Sequence, residues 1–223
     1  MRKGERTKKE ILEQASQVFS VRGYAGASMD DLTRAAKLTK GGLYNHFESK
    51  DDLMLASFEH AMGQVRDRFA TMAAGLRDTR SRLMAVLKLY VSLLEDPVVQ
   101  GGCPILYTAV EADDTHPALR QRAKEKSDDW RNYIARTLQR GIELGNVKPD
   151  TDVIEFADMM LAGLEGGIVL SKLYGDLTPM NRVVAHMTKT ISILRVVVAT
   201  LICRMVGYGR FPAKVEAKPT RSH

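Results

Sequence analysis

Apolar residues along this 223-residue chain recur by threes and fours, the spacing that lines one face of a helix, and they almost nowhere alternate as in a strand. Ile11, Leu12, Ala15, Val18 and Phe19 form the first stripe, which Gly23 closes just after Arg22. Met54, Phe58, Ala61, Met62, Val65, Phe69 and Met72 form a longer one. A third, Leu83, Val86, Leu87, Tyr90 and Leu94, opens at Thr79 or Ser81 and stops at Asp96-Pro97. Gly101-Gly102-Cys103-Pro104 then starts a short helix running towards Asp113. Another begins near Pro117, carries Trp130, Ile134, Leu138 and Ile142, and ends at Gly145-Asn146. The pattern predicts an all-α fold.

The last two predicted helices differ in kind. From Thr151 to Tyr174 one face carries Val153, Ala157, Met160, Leu161, Leu164 and Ile168, and a second carries Phe156, Met159, Gly163, Gly166, Leu170 and Leu173. A helix apolar on two sides has to be covered on two sides. The final helix opens at Thr178-Pro179 and keeps a heptad-like seam: Met180, Val184, Met187, Ile191, Leu194, Val198, Leu201 and Met205. Together they predict half of a four-helix bundle completed by a second copy, hence a homodimer. The plain alternative is a core helix pair within one chain. From Gly207 the chain is basic and contains Pro, the composition of a disordered tail.

Between the first two long stripes lies Ser28 to Leu53, which reads as two short helices and the start of a third. Ser28 with Asp31, then Thr39, then Ser49 with Asp52 are three successive N-cap signals. After Thr39, Leu43 and Phe47 share one face, leaving Lys40, Tyr44, Asn45 and His46 outside. A helix so short buries little, so its role is to present those side chains, as in a DNA-reading helix-turn-helix. The helix that starts at Lys50 continues into the rest of the chain without a linker, so it can carry a tilt from one end to the other.

Charge agrees with that reading. The chain carries a formal +6, and residues 1–50 hold ten Lys/Arg against six Asp/Glu, so most of the excess sits at the helix-turn-helix end. Arg2, Lys3, Arg6, Lys8 and Lys9 form either a phosphate-touching arm or a solvated terminus. Cys103 and Cys203 stand a hundred residues apart, giving neither a disulfide framework nor zinc spacing. The start lacks an apolar h-region, and the longest apolar run, Arg195 to Arg204, is too short to span a bilayer. A soluble, cytoplasmic protein without membrane, metal or cofactor is expected. None of the common nucleotide-binding, hydrolase or metalloprotease motifs occurs, so no catalytic residues are assigned.

From Arg6 to about Ala61 the chain resembles the DNA-binding domain of TetR-family transcriptional regulators. The resemblance rests on Phe19, Gly23 and Tyr24 at the end of the first helix, Ser-Met-Asp-Asp-Leu from Ser28, Lys-Gly-Gly-Leu-Tyr-Asn-His-Phe from Lys40, and Ser-Lys-Asp-Asp-Leu from Ser49. It implies a DNA-binding domain at residues 1–50, an effector-binding and dimerisation domain at 51–206, and a tail at 207–223. The implied function is a dimeric repressor on an inverted-repeat operator in double-stranded DNA, released by a small-molecule effector. Lys40 and Tyr44 are the candidates for base or sugar contact, and Tyr44 and His46 for phosphate. Gly41 and Gly42 permit close backbone approach, Ser28, Thr39 and Lys50 stand at helix starts that suit phosphate, and Asn45 falls in the reading position by analogy. The competing reading is a helical adaptor whose basic end binds a protein or membrane surface.

A second constellation surrounds Cys103, which precedes Pro104 at a predicted helix start where the local field favours thiolate. A nearby Lys172 would lower the thiol's pKa further, and the Gly-Cys-Pro segment with a late Lys resembles the electrophile- and oxidant-responsive branch of the family. The plain alternative is an inert buried Cys, with Lys172 paired to Glu165. A different trigger is an apolar effector in a cavity lined by Tyr90, Tyr107, Trp130, Tyr133, Met159 and Met160.

Overall fold

A computed structural model describes residues 3–112 and 116–194. Among these residues the chain forms α1 (Lys3–Arg22), α2 (Met29–Ala36), α3 (Lys40–Tyr44), α4 (Lys50–Ala73), α5 (Thr79–Glu95), α6 (Pro104–Glu111), α7 (Pro117–Glu143), α8 (Val153–Tyr174) and α9 (Thr178–Ile193). No strand occurs among them, as the periodicity predicts. Two helix starts differ from expectation. Asp78, not Thr79 or Ser81, caps α5 by accepting from Ser81 N–H at 2.8 Å. Asp152 caps α8 through Ile154 and Glu155 N–H. An acidic side chain wins both sites because it satisfies orphan donors and suits the positive helix end.

The apolar stripes close on two cores. The first joins Ile11, Phe19 and Tyr24 with Leu32, Leu43, Phe47, Leu53 and Phe58, and takes in Ala112, Leu119 and Ala123 from α6 and α7. The second fills α5, α7, α8 and α9 around Leu83, Leu87, Ile134, Leu138, Leu164 and Ile168. The predicted boundary at residue 50 therefore follows a helix start but not the packing, since α4 feeds both cores with Phe58 in one and Val65 in the other. The basic lead-in is no extended arm from Lys3 on: it is the first turns of α1, with Arg6–Glu10 and Lys9–Glu13 pairs along its surface.

The last two helices separate the two readings of their faces. The α9 seam turns inward, burying Met180, Met187 and Ile191 in the chain's own core. Gly163 and Gly167 of α8 make room for it, with Met187 and Met180 methyls 3.2 and 3.1 Å from where a Cβ would stand. That seam is intramolecular as far as Leu194, and Val198, Leu201, Met205, Cys203 and the 207–223 tail lie outside the described residues. The second face of α8 divides. Phe156 and Gly163 pack against the chain, whereas Met159, Leu170 and Leu173 point outward, 62%, 42% and 72% exposed, with open space over Gly166.

Candidate nucleic-acid interface

Three caps set the short helices in place. Ser28 and Asp31 form a reciprocal capping box at α2, and the Ser28 hydroxyl also donates to the Asp31 carboxylate at 2.7 Å. These hydrogen bonds, ahead of Arg22 and Arg34 nearby, hold the Asp31 carboxyl below its usual range. Lys37 then turns the chain in the left-handed region at φ 56°, and Thr39 caps α3 by accepting from Gly42 N–H at 3.1 Å. Ser49 caps α4 through Asp52 N–H at 3.0 Å. All three predicted caps are thus present.

The caps display α3 outward while Leu43 and Phe47 anchor it below, 1% and 2% exposed. Lys40, Gly41, Tyr44 and Asn45 are on the surface, and His46 is half-buried. The helix is shorter than its pattern suggests, since Asn45 is already its C-cap and Phe47 reaches the core from beyond its end. The two glycines differ: a Cβ on Gly41 meets open space, whereas one on Gly42 would crowd the Thr39 hydroxyl at 3.3 Å. Lys40 lies 2.8 Å from Asp30, an exposed pair that phosphate can compete for. Ser28 has its hydroxyl and N–H engaged in the box, and Lys50 donates to Tyr24 C=O at 2.7 Å, so both serve the protein's own structure. Lys37 was not anticipated. It is exposed, has no acidic partner among the described residues, and stands in the turn leading to α3.

The head is seated on the rest of the chain by polar contacts that leave no signature in a single sequence. Gln17 of α1 grips the α5–α6 loop, donating to Val98 C=O at 2.9 Å and accepting from Gln100 N–H at 3.2 Å. Tyr24 N–H donates to the Glu111 carboxylate of α6 at 2.6 Å, and its hydroxyl shares a 2.9 Å hydrogen bond with Thr108. Burial pushes the Tyr24 phenol up to about 12. Gly23 is required beside it, at φ 73° and with the Glu111 carboxylate 2.5 Å from where a Cβ would stand.

Comparison with known proteins gives this arrangement a family. Residues 11–57 match the model described as bacterial regulatory proteins, tetR family, and residues 79–187 match a tetracyclin repressor-like C-terminal domain. A TetR transcriptional regulator from Chloroflexus aurantiacus superposes with a TM-score of 0.83 at 41% identity, over 86% of this chain and 97% of that one. The chain belongs to the TetR family of transcriptional regulators. A TetR-family regulator from Cytophaga hutchinsonii superposes with a TM-score of 0.79 at 34% identity, over 88% of this chain and 98% of that one. The HTH-type transcriptional repressor DhaR of a Mycobacterium species is 28% identical over 177 residues, 77% of this chain and 85% of that protein. As a TetR-family protein the chain is a DNA-binding regulator of transcription and not an enzyme. The family binds DNA operators and typically works as dimers answering to small molecules. No described helix is long and apolar enough to cross a membrane.

The regulatory half of this TetR-family chain corrects two expectations. Cys103 is buried, and its thiol donates not towards Lys172 but to the Glu165 carboxylate at 3.0 Å, which also accepts from the Tyr90 hydroxyl at 2.9 Å. Burial first, then the charge of Glu165, pushes the thiol well up; the N–H groups of Leu106 and Ile105 pull the other way and are outweighed. Lys172 is exposed and spends its ammonium on Gln100 C=O at 2.5 Å. Cys103 is therefore a buried donor rather than an activated thiolate. Nor do the six proposed pocket residues share a cavity. Tyr90 and Met160 are core, Tyr107 lies tilted against Tyr24, and Met159 is exposed, leaving Trp130 and Tyr133 beside Phe69 in a cleft of about 270 Å³ between α4 and α7.

Glu165 yields a pH prediction. Its carboxyl is raised above 4.5, chiefly by burial, against the opposing Tyr90 and Cys103 hydrogen bonds. The folded chain therefore keeps this proton to higher pH than the unfolded chain, so the group favours folding in acid and that contribution is lost as pH rises past its folded pKa. Glu165→Gln, a neutral acceptor of similar shape, is expected to raise Tm at pH 7 and to converge on the parent at pH 4. A constant Tm difference across that range would contradict the assignment.

Proposed function

We propose that this protein is a homodimeric repressor that places two copies of α3 in successive major grooves of an inverted-repeat operator and leaves it when a small molecule binds the regulatory half. The observation that carries this reading is the outward face of α3, with Lys40, Gly41, Tyr44 and Asn45 exposed over buried Leu43 and Phe47. Tyr44 and Asn45 are the groups for base edges and sugars, and Thr39, Lys40, His46 and Lys37 for phosphate. Ser28 and Lys50 act one step back, by holding the helices that carry these groups. The second copy docks on the outward face of α8, where Met159, Leu170 and Leu173 surround the open surface over Gly166.

No arginine lies on α3, so affinity is dominated by phosphate contacts and falls steeply with salt. Lys37→Ala is expected to weaken binding to specific and unrelated DNA alike, lowering the slope of log affinity against log salt by about 1 per head. Footprinting on the DNA flanking the protein's own gene tests the whole reading. A protected inverted repeat is the expected result. Uniform, sequence-independent protection would refute it.

A further inference from the structure

An arginine-rich cleft lies next to the Trp130 aromatics, away from α3. It is lined by Arg77 and Arg82 on the α5 side and by Arg136 and Arg140 of α7, with a volume of about 740 Å³. Among the described residues Asp129 is the sole acidic one on its wall. Arg82 donates to Leu76 C=O and Arg140 pairs with Glu143, while Arg77 and Arg136 have no acidic partner among the described residues. The four stand beyond the far end of α4, whose 24 residues put them roughly 36 Å from the helix's start in the head. Operator phosphates at α3 are out of their reach.

This cleft and the aromatic one share Asp129 and Tyr133 as walls. Lys126, Trp130, Tyr133, Arg136 and Arg140 step along α7 by threes and fours, so both clefts follow a single stripe of that helix. At one end Phe69 meets Trp130 and Tyr133 edge to face, at 4.8 and 5.0 Å between centroids. At the other, the Arg77 and Arg136 guanidinium groups, without a carboxylate partner among the described residues, present paired N–H donors of the kind that hold carboxylate or phosphate oxygens.

We propose that the α7 stripe is a binding site for an amphipathic organic anion, its flat apolar body against Phe69 and Trp130 and its carboxylate or phosphate at Arg77 and Arg136. As the effector site it rests on the release mechanism proposed above; as a binding site it does not. Its apolar end opens between α4 and α7, where Lys126 and Arg122 reach across to Glu59 of α4 at 3.0 and 3.9 Å. A body inserted there parts α4 from α7 and tilts the helix that begins at Ser49 in the head.

Trp130 is the only tryptophan of the chain, so its emission reports on the site directly. Titration of the full-length protein with naphthoate, naphthyl phosphate, naphthol and naphthylmethyl trimethylammonium is expected to give quenching that saturates at lowest concentration for one of the two anions, and which anion names the oxyacid. The doubly substituted R77A/R136A protein is expected to bind that anion at least about tenfold more weakly and naphthol unchanged. Tightest binding by the cation, equal binding of anion and naphthol, or an anion affinity indifferent to the arginines would overturn the proposal. Operator binding is measured in the same samples. Anion binding that leaves the operator complex intact sinks release but keeps the site, and an intact operator complex with no quenching by either anion sinks the site but keeps the repressor.

Discussion

Leu43→Ala and Tyr44→Ala, one residue apart on α3, are expected to fail in opposite ways. Leu43 is 1% exposed in the head core, and Tyr44 is 49% exposed. Removing the leucine side chain forfeits its transfer energy and leaves a cavity under the helix, about 2–5 kcal/mol in buried leucine series. The head then melts early, and operator affinity drops because α3 is no longer held. Tyr44→Ala removes little packing and is expected to stay within about 0.5 kcal/mol of the parent. It loses the contact to DNA and weakens operator binding by at least about tenfold at fixed salt, as expected for a lost hydrogen bond or apolar contact at a base edge or sugar. Thermal melts and mobility shifts on both variants separate the effects. A Tyr44→Ala protein that binds as tightly as the parent removes Tyr44 from the interface.

The difference between these neighbours was legible in the sequence, because Leu43 and Phe47 mark the inward side, although Phe47 reaches the core from beyond the end of α3 rather than from its face. Caps were legible for the same reason: Ser28, Thr39 and Ser49 act on backbone donors a few residues away. What escaped was whatever depends on distant partners. Gln17 meets residues more than eighty positions away, and no periodicity marks it. Cys103 stood at a helix start, as expected, but its partner is Glu165 and not Lys172, because burial of the whole group decides which neighbour the thiol faces. On α8 the pattern correctly assigned two apolar faces, yet a one-dimensional pattern cannot tell a partner helix of the same chain from one of a second copy. As far as Leu194, the α9 seam proved to be the former.

That distinction makes the outward face of α8 the most consequential surface outside the head. Leu170→Glu with Leu173→Glu places two charges among residues that are 42% and 72% exposed in one chain, so the fold of that chain is expected to survive. In a dimer the same carboxylates are buried opposite their own copies across a twofold axis, where like charges without partners repel and cannot shed their desolvation cost. The variant is expected to sediment as a monomer with an unchanged helical spectrum. Its loss of DNA binding follows from arithmetic rather than from any change in α3. Two heads linked in a dimer bind an inverted repeat with an effective local concentration that raises affinity by about 10²–10⁴-fold over one head, and a monomer forfeits it. Affinity for an isolated half-site, by contrast, stays at the parent's single-head value. A variant that remains dimeric places the second copy on another face, and the outward apolar patch of α8 then requires a different partner.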